Sequence, residues 1–402
     1  MNSHELTTFL QTYLRIDTSH PKPDYTSAIK LFEKQARHDG FTTQIIDLPS
    51  GRSVLCIHYP APNSHNLGLS TLALSSHMDV VPAGNTTLWK HDPFSGTIEN
   101  DILYGRGTQD MKSVGVIQYG ALLRLKKSGV KTERSICLLC VPDEEIGGFT
   151  GVGELVKTEE FKQLNIGYLL DEGLSSSCQK KIFIKVSERK PIQIKIESSG
   201  AMGHGSRLHA DNTIHNLIVT LQKFIQLHQT NQEKSLEIPA GLLISANITS
   251  LSAGVIHDNH TALNCIPSYA NATIDIRIPP NVSLLEAKAM IAQMFNDNSV
   301  SYTILAMGED VPYQDFTQNS LYHHLSAAIE KYNYRAEPYY AQSASDLRFY
   351  LNAGIQALGI SPFTCQENIH GINESIPLDD LESGCSILFN FLHSFCGETT
   401  HD

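Results

Sequence analysis

Cysteine is sparse and scattered in this chain, with eight in 402 residues: Cys56, Cys137, Cys140, Cys178, Cys265, Cys365, Cys385 and Cys396. Most lie inside apolar runs, where a free thiol behaves as a small hydrophobe. There is no disulfide framework to read here, and a reducing cytoplasm is the expected setting. Basic residues are also the minority, 30 Lys plus Arg against 42 Asp plus Glu, for a formal net charge of −12. That balance argues against a protein that coats nucleic acid, which needs a basic face, and against a basic membrane-surface helix. Long apolar runs are missing as well: none reaches the roughly 18 residues a membrane span needs. The first 20 residues hold Glu5, Thr7, Thr8 and Gln11, with no basic start leading into an apolar core, so no secretory signal is expected. Neither nucleic acid nor membrane belongs among the expected partners.

What is present divides the chain. Its length favours two domains over one core. The first half carries short continuous apolar runs at Val54–Ile57, Thr71–Leu74, Ile136–Val141 and Ile166–Leu170. Such runs suit strands buried on both faces, in a sheet covered by helices. The close pair Cys137 and Cys140 falls inside one of them and reads as buried strand; a redox or zinc role would want a second pair. Val114, Ile117, Ala121, Leu122 and Leu125 recur at helical spacing and stop at Gly129, a natural C-terminal cap.

From about residue 190 the pattern changes to strict alternation, as in Ile192, Ile194, Ile196 and again in Ile274, Ile276, Ile278. Alternation marks a sheet with one wet face. Between these runs, Ile214, Leu217, Ile218, Leu221, Phe224 and Ile225 form a helical stripe expected to face a core. After about residue 305 the α/β composition returns, with Ile355–Ile360 as a further strand. The expected fold is α/β, with residues 1–188 and 305–402 forming one domain and residues 189–304 an inserted α+β domain.

Potential metal ligands gather just past the buried strands: His77-Met78-Asp79, Asp143-Glu144-Glu145 and Asp171-Glu172. In open α/β sheets the carboxyl ends of strands line the site, so three separate stretches converge on one rim. Asp110 precedes the helix starting near Ser113, and His370 lies in a loop of the returning segment. Singly, each has a plain reading: Asp110 as a helix cap, Glu144 and Glu145 as a solvated pair, His77 as a hydrogen-bonded imidazole. Together, two imidazoles and three carboxylates suit a pair of Zn²⁺ ions sharing one carboxylate.

The strings Ser76-His-Met-Asp-Val-Val-Pro82, Gly105-Arg-Gly-Thr-Gln-Asp-Met-Lys112, Val141-Pro-Asp-Glu-Glu-Ile-Gly-Gly148 and Leu170-Asp-Glu-Gly173 resemble the dizinc amidohydrolase and exopeptidase family. That family includes aminoacylases, glutamate-cleaving carboxypeptidases and desuccinylases. Tyr13-Leu-Arg-Ile-Asp-Thr18, Pro21-Lys-Pro-Asp-Tyr25 and Ser187-Glu-Arg189 are similar to its aminoacylase branch, and the likeness runs from about residue 10 to 395. The resemblance implies a zinc-exopeptidase-like mixed sheet flanked by helices, with the insert acting as a dimerisation lid.

It further implies that His77 and Glu172 bind one zinc, that Glu145 and His370 bind the other, and that Asp110 bridges them. Co²⁺ or Mn²⁺ are substitutes of the same chemistry. Asp79 would orient the imidazole of His77. Glu144 would be the general base, taking a proton from water and giving it to the leaving amine. His204, in Gly200-Ala-Met-Gly-His-Gly-Ser206, would reach into the partner subunit's site to stabilise the oxyanion, assisted by Asn264. Arg277 and Arg348 would hold a substrate carboxylate; a surface salt bridge is the plain reading of either.

The implied activity is hydrolysis of N-acyl-L-amino acids by a cytoplasmic homodimer. A dipeptidase, carboxypeptidase, desuccinylase or deacetylase of the same family is the alternative, and a non-catalytic binding protein on this fold the alternative from another class. The loop Gln366–Glu374 and the stretch Gly84–Lys90 depart from the aminoacylase branch, which bears on acyl and side-chain preference rather than on the reaction. By charge arithmetic, Glu144 and the three carboxylate ligands are cancelled by two Zn²⁺ ions, so Arg277 and Arg348 would leave the pocket positive.

Overall fold

The structure is a computed structural model that describes residues 1–62, 67–177, 180–209, 211–258, 260–295, 300–313, 315–365 and 368–398. Cys178, Gln366 and Glu367 lie outside the described residues. The chain forms two compact units. One comprises Met1–Val186, Gln314–Tyr339 and Ser345–Asp402; the other comprises Ser187–Tyr313 and Tyr340–Ala344.

The first unit is built on an eight-stranded mixed sheet. Its strands run in the order Thr42–Asp47, Ser53–Tyr59, Ile136–Val141, Thr71–His77, Ile166–Asp171, Gln356–Ile360, Lys181–Glu188 and Arg335–Ala341. The four strands from Ile136–Val141 to Gln356–Ile360 are mutually parallel, so their carboxyl ends share one rim. The continuous apolar runs behave as expected of strands covered on both faces: every residue of Ile136–Val141 is buried, Cys137 and Cys140 included. The helix Lys112–Ser128 is buried almost throughout and ends at Gly129, whose φ of 73° is the left-handed cap that glycine adopts without strain. Helix Leu378–Cys396 packs on it, and at the N-terminus the helix Ser3–Leu14 opens on a capping box between Asn2 and Glu5.

The second unit is a four-stranded antiparallel sheet in the order Ser245–Ala253, Tyr269–Ile278, Lys190–Ser199 and Val300–Met307. Its alternating isoleucines face a core shared with Leu217, Leu221 and Phe224 of helix Thr213–Lys234. The helical stripe divides, however: Ile218 and Ile225 are exposed. The unit runs past residue 304 because Val300–Met307 pairs with Lys190–Ser199. It also takes in residues 340–344, where Arg189 donates to the carbonyl of Gln342 at 3.0 Å. The strand Ser245–Ala253 lies at the edge of this sheet, and from Asn247 onward its residues are exposed. Among the described residues no helix is long and apolar enough to cross a membrane.

Candidate metal centre

The rim of the parallel strands carries the ligands. His77 ends strand Thr71–His77, Glu172 follows strand Ile166–Asp171, and Glu145 sits in the single 3-10 turn Glu144–Ile146 after strand Ile136–Val141. Asp110 precedes helix Lys112–Ser128, and His370 comes from the loop after strand Gln356–Ile360. The five residues form two triads, His77 with Asp110 and Glu172, and Asp110 with Glu145 and His370; in each, the ligand atoms lie within 4.8 Å of one another. Asp110 belongs to both. Its Oδ1 is 2.9 Å from His77 Nε2, and its Oδ2 is 3.3 Å from His370 Nε2. Neither triad contains a cysteine.

The donor set calls for cations. His77 Nδ1 lies 3.0 Å from the backbone carbonyl of Asp79, which can only accept, so Nδ1 carries the proton of the neutral ring. That leaves the Nε2 lone pair facing carboxylate oxygens of Asp110 and Glu172, at 2.9 and 3.4 Å. Acceptors facing acceptors are reconciled only by positive charge. Burial opposes a proton on His77, but the hydrogen bonds to Asp110 and Glu172 win and raise its pKa well above the ordinary value. The same contacts with Asp110 and Glu145 push His370 up to about 10. Burial works against ionisation of Asp110, yet hydrogen bonds from His370 and His77 hold it well below the usual carboxylate range. Glu145 Oε1 is buried with no hydrogen-bond partner, as expected of an atom reserved for a metal. The chemistry of these donors fits metal binding.

Glu144 belongs to neither triad. Burial, and next the neighbouring Glu172 carboxylate, raise its pKa well above the ordinary value. Its turn is held from below by Asp79. The carboxylate of Asp79 receives the backbone N–H of Glu144 at 3.2 Å and of Glu145 at 2.9 Å. This differs from the expected role: His77 is oriented by the main-chain oxygen of Asp79, while the carboxylate Oδ1 stands 3.7 Å away from the ring. Beyond the turn, Gly148 has φ +65°, and a Cβ there would lie 1.9 Å from Asp346 Oδ1.

Two residues that sequence reasoning passed over organise the ligand loops. Glu374, wholly buried, accepts from the backbone N–H of Gly107, Gln109 and Asp110 and from Arg106 Nη1 at 2.6 Å. Arg106 in turn donates to the carbonyl oxygens of His370 and Gly371. Arg106 lies in a string that carried the resemblance and Glu374 stands four residues after His370, so proximity to a candidate ligand in sequence was the available signal.

Arg348 departs from its expected role. Arg348 is 8 % exposed, donates Nη2 to the carbonyl of Gly147 at 2.6 Å and Nη1 to the carbonyl of Ser345, and sets its guanidinium against the touching rings of Phe149 and Phe349. It braces the Glu144–Ile146 turn from Gly147, with two donors on backbone oxygens. His204, Asn264 and Arg277 belong to the second unit. His204 pairs with Cys265 in a short ribbon, so it and Asn264 come together, and its Nδ1 accepts from Ser206. Arg277 makes a two-pronged contact with Asp275, at 2.6 and 3.0 Å.

Two metal triads sharing a carboxylate, beside an unshared acid, define a metal-dependent hydrolase. Residues 73–394 match Peptidase family M20/M25/M40, and the chain belongs to that family. It is 31% identical to Aminoacylase-1 of Mus musculus, over 99% of this chain and 97% of that protein. It is 33% identical to Aminoacylase-1 of Dictyostelium discoideum, over 98% of this chain and 100% of that protein. Among solved structures, an M20 family metallo-carboxypeptidase from Sulfolobus solfataricus superposes with a TM-score of 0.71 at 17% identity, covering 96% of this chain and 98% of its own. The mixed α/β fold is the one these structures share.

Proposed function

We propose that the chain hydrolyses the amide bond of N-acyl-L-amino acids, releasing a carboxylate and a free L-amino acid. The observation that carries this reading is the 31–33% identity, over essentially the whole chain, to proteins named Aminoacylase-1. The unshared acid Glu144 beside two complete triads supports it chemically. His77, Glu172 and the bridging Asp110 would hold one Zn²⁺, and Asp110, Glu145 and His370 the other, with Co²⁺ or Mn²⁺ as substitutes. When bound, the metal pair would polarise the amide carbonyl and acidify water.

The protein's own residues supply the rest. Glu144 takes a proton from the attacking water and returns it to the leaving nitrogen. Asp79 fixes the turn that aims Glu144, and Arg348 braces the same turn from Gly147. His204, with Asn264 beside it, would stabilise the oxyanion in the partner subunit's site. Arg277, alone of the two expected arginines, is assigned to the substrate carboxylate.

We also read the protein as a cytoplasmic homodimer formed through its second unit. Support comes from the edge strand Ser245–Ala253, exposed at Ile248 and Leu251, and from helix Thr213–Lys234 packed against it with Ile218 and Ile225 outward. Kinetics on N-acetyl-L-methionine beside a dipeptide panel, with metal analysis of the same sample, test the activity. Dipeptides turning over far faster would overturn the assignment. Mixing His204→Ala with Glu144→Ala subunits tests the shared site: recovered activity supports it, and no recovery removes it.

A further inference from the structure

Two carboxylates, Asp79 and Asp143, lie fully buried beneath the Glu144–Ile146 turn. Buried carboxylates persist only where donors converge on them. Those of Asp143 are Tyr25 Oη at 2.7 Å, Arg52 Nε at 2.8 Å and Thr150 Oγ1 at 2.8 Å. Asp79 receives the two backbone amides of the turn and one close side chain, His20, whose Nε2 lies 3.0 Å from Oδ2. The same Nε2 is 3.9 Å from Asp143 Oδ1, so a single imidazole stands between both acids. His20 is 12% exposed and comes from the N-terminal segment, which runs beside Val80 through Val80 N–H to the carbonyl of Thr18 at 3.2 Å. That places the Pro21-Lys-Pro-Asp-Tyr25 string against the site: Tyr25 serves Asp143, and His20, just before it, serves Asp79.

We propose that His20 is a positioning residue for the reaction, holding Asp79 so that its carboxylate fixes the backbone of Glu144 and Glu145. The inference rests on the amide-hydrolase reading above for its catalytic consequence. The chain of contacts is explicit. A carboxylate only accepts, so Nε2 donates to Oδ2. Oδ2 also receives the Glu145 amide, and Oδ1 receives the Glu144 amide. Without the imidazole, the hydrogen bonds left to the Asp79 carboxylate among the described residues are the two amides it is meant to restrain, with His77 Nδ1 at 3.7 Å, and its desolvation is under-compensated. The carboxylate can then turn toward water, and the base turn loses its anchor. The group that moves is Glu144, whose side chain must meet a water within a few tenths of an ångström.

The test compares His20→Ala, His20→Gln and His20→Asn in the full-length protein. A glutamine amide nitrogen reaches about as far as Nε2, whereas asparagine stops a bond short. Hydrogen–deuterium exchange of the segment 141–149, measured on metal-free protein, reads the turn directly. We expect faster exchange in His20→Ala and His20→Asn and near wild-type protection in His20→Gln. With metal restored and N-acetyl-L-methionine as substrate, kcat falls roughly 10- to 100-fold for Ala and Asn with KM little changed. Glutamine recovers most of that loss. Unchanged exchange in His20→Ala, or asparagine rescuing as well as glutamine, would overturn the proposal. If the alanine variant does not fold, the Gln–Asn comparison decides. Should the wild-type enzyme fail to cleave N-acetyl-L-methionine, the functional reading falls while the exchange data still judge His20.

Discussion

Arg106 and Glu374 form an enclosed ion pair, Nη1 to Oε2 at 2.6 Å, that ties the loop carrying Asp110 to the loop carrying His370. Two candidate metal ligands are thereby fastened together by a pair of residues 268 positions apart in the sequence.

Breaking that pair leaves a buried charge uncompensated. Arg106→Met is expected to cost about 3–5 kcal/mol of stability. Because both loops carry ligands, it also weakens metal retention. Chemical denaturation followed by metal analysis after dialysis checks both effects.

Glu144→Gln keeps the shape of the turn and removes the base. Turnover should fall on the order of 10²- to 10⁴-fold. Bound metal and KM should stay close to wild type, since Glu144 is in neither triad. Steady-state kinetics and metal stoichiometry on one preparation separate these outcomes.

Gly148→Ala combines a left-handed backbone with a direct overlap on Asp346. It should destabilise by roughly 1–3 kcal/mol beyond the conformational cost alone. Gly51→Ala is the control: its φ is +81°, but nothing lies within 4 Å of the added Cβ. The two melting curves, with kcat for each, give the comparison, and only Gly148→Ala should lose activity.

Asp380, in the first turn of helix Leu378–Cys396, has its pKa pushed up to about 6 by burial, against a backbone hydrogen bond from Thr364. A carboxyl raised in the folded state favours folding at low pH, below its unfolded value of about 3.9, and that contribution is lost as pH rises through 6. Asp380→Asn should therefore melt like wild type near pH 4 and a few degrees higher at pH 7. Thermal melts across that range show whether the gap opens in this window.

Much of the fold was legible because its signals are local. A strand buried on both faces must be apolar at every position, so Ile136–Val141 declared itself, and a left-handed glycine marked the end of helix Lys112–Ser128. Three of the five candidate ligands, His77, Glu145 and Glu172, were legible because they stand at or shortly past the ends of such strands, whereas Asp110 and His370 needed the motif resemblance. Glu374 and Arg106 were not legible, since the meaning of each lies in a partner hundreds of residues away. Ile218 and Ile225 misled because an apolar residue facing outward has the same letter as one facing the core. Arg277 and Arg348 were counted as free cations, yet Arg277 is paired with Asp275 and Arg348 directs two of its donors to carbonyl oxygens, so a substrate carboxylate would have to compete for Arg277 and finds Arg348 already engaged.

The insertion of one unit into the other sets an order of events during translation. Strand Gln356–Ile360 lies inside the eight-stranded sheet, between Ile166–Asp171 and Lys181–Glu188, yet it is made after the other seven strands of that sheet. A nascent chain that has emerged as far as residue 350 already carries Glu144, His77, Asp110, Glu145 and Glu172, but neither that strand nor His370. Seven of the eight strands thus precede the interior one that joins them, and the strands of the inserted unit have all been synthesised by then. The second candidate triad is complete only once His370, which follows that interior strand, has been made.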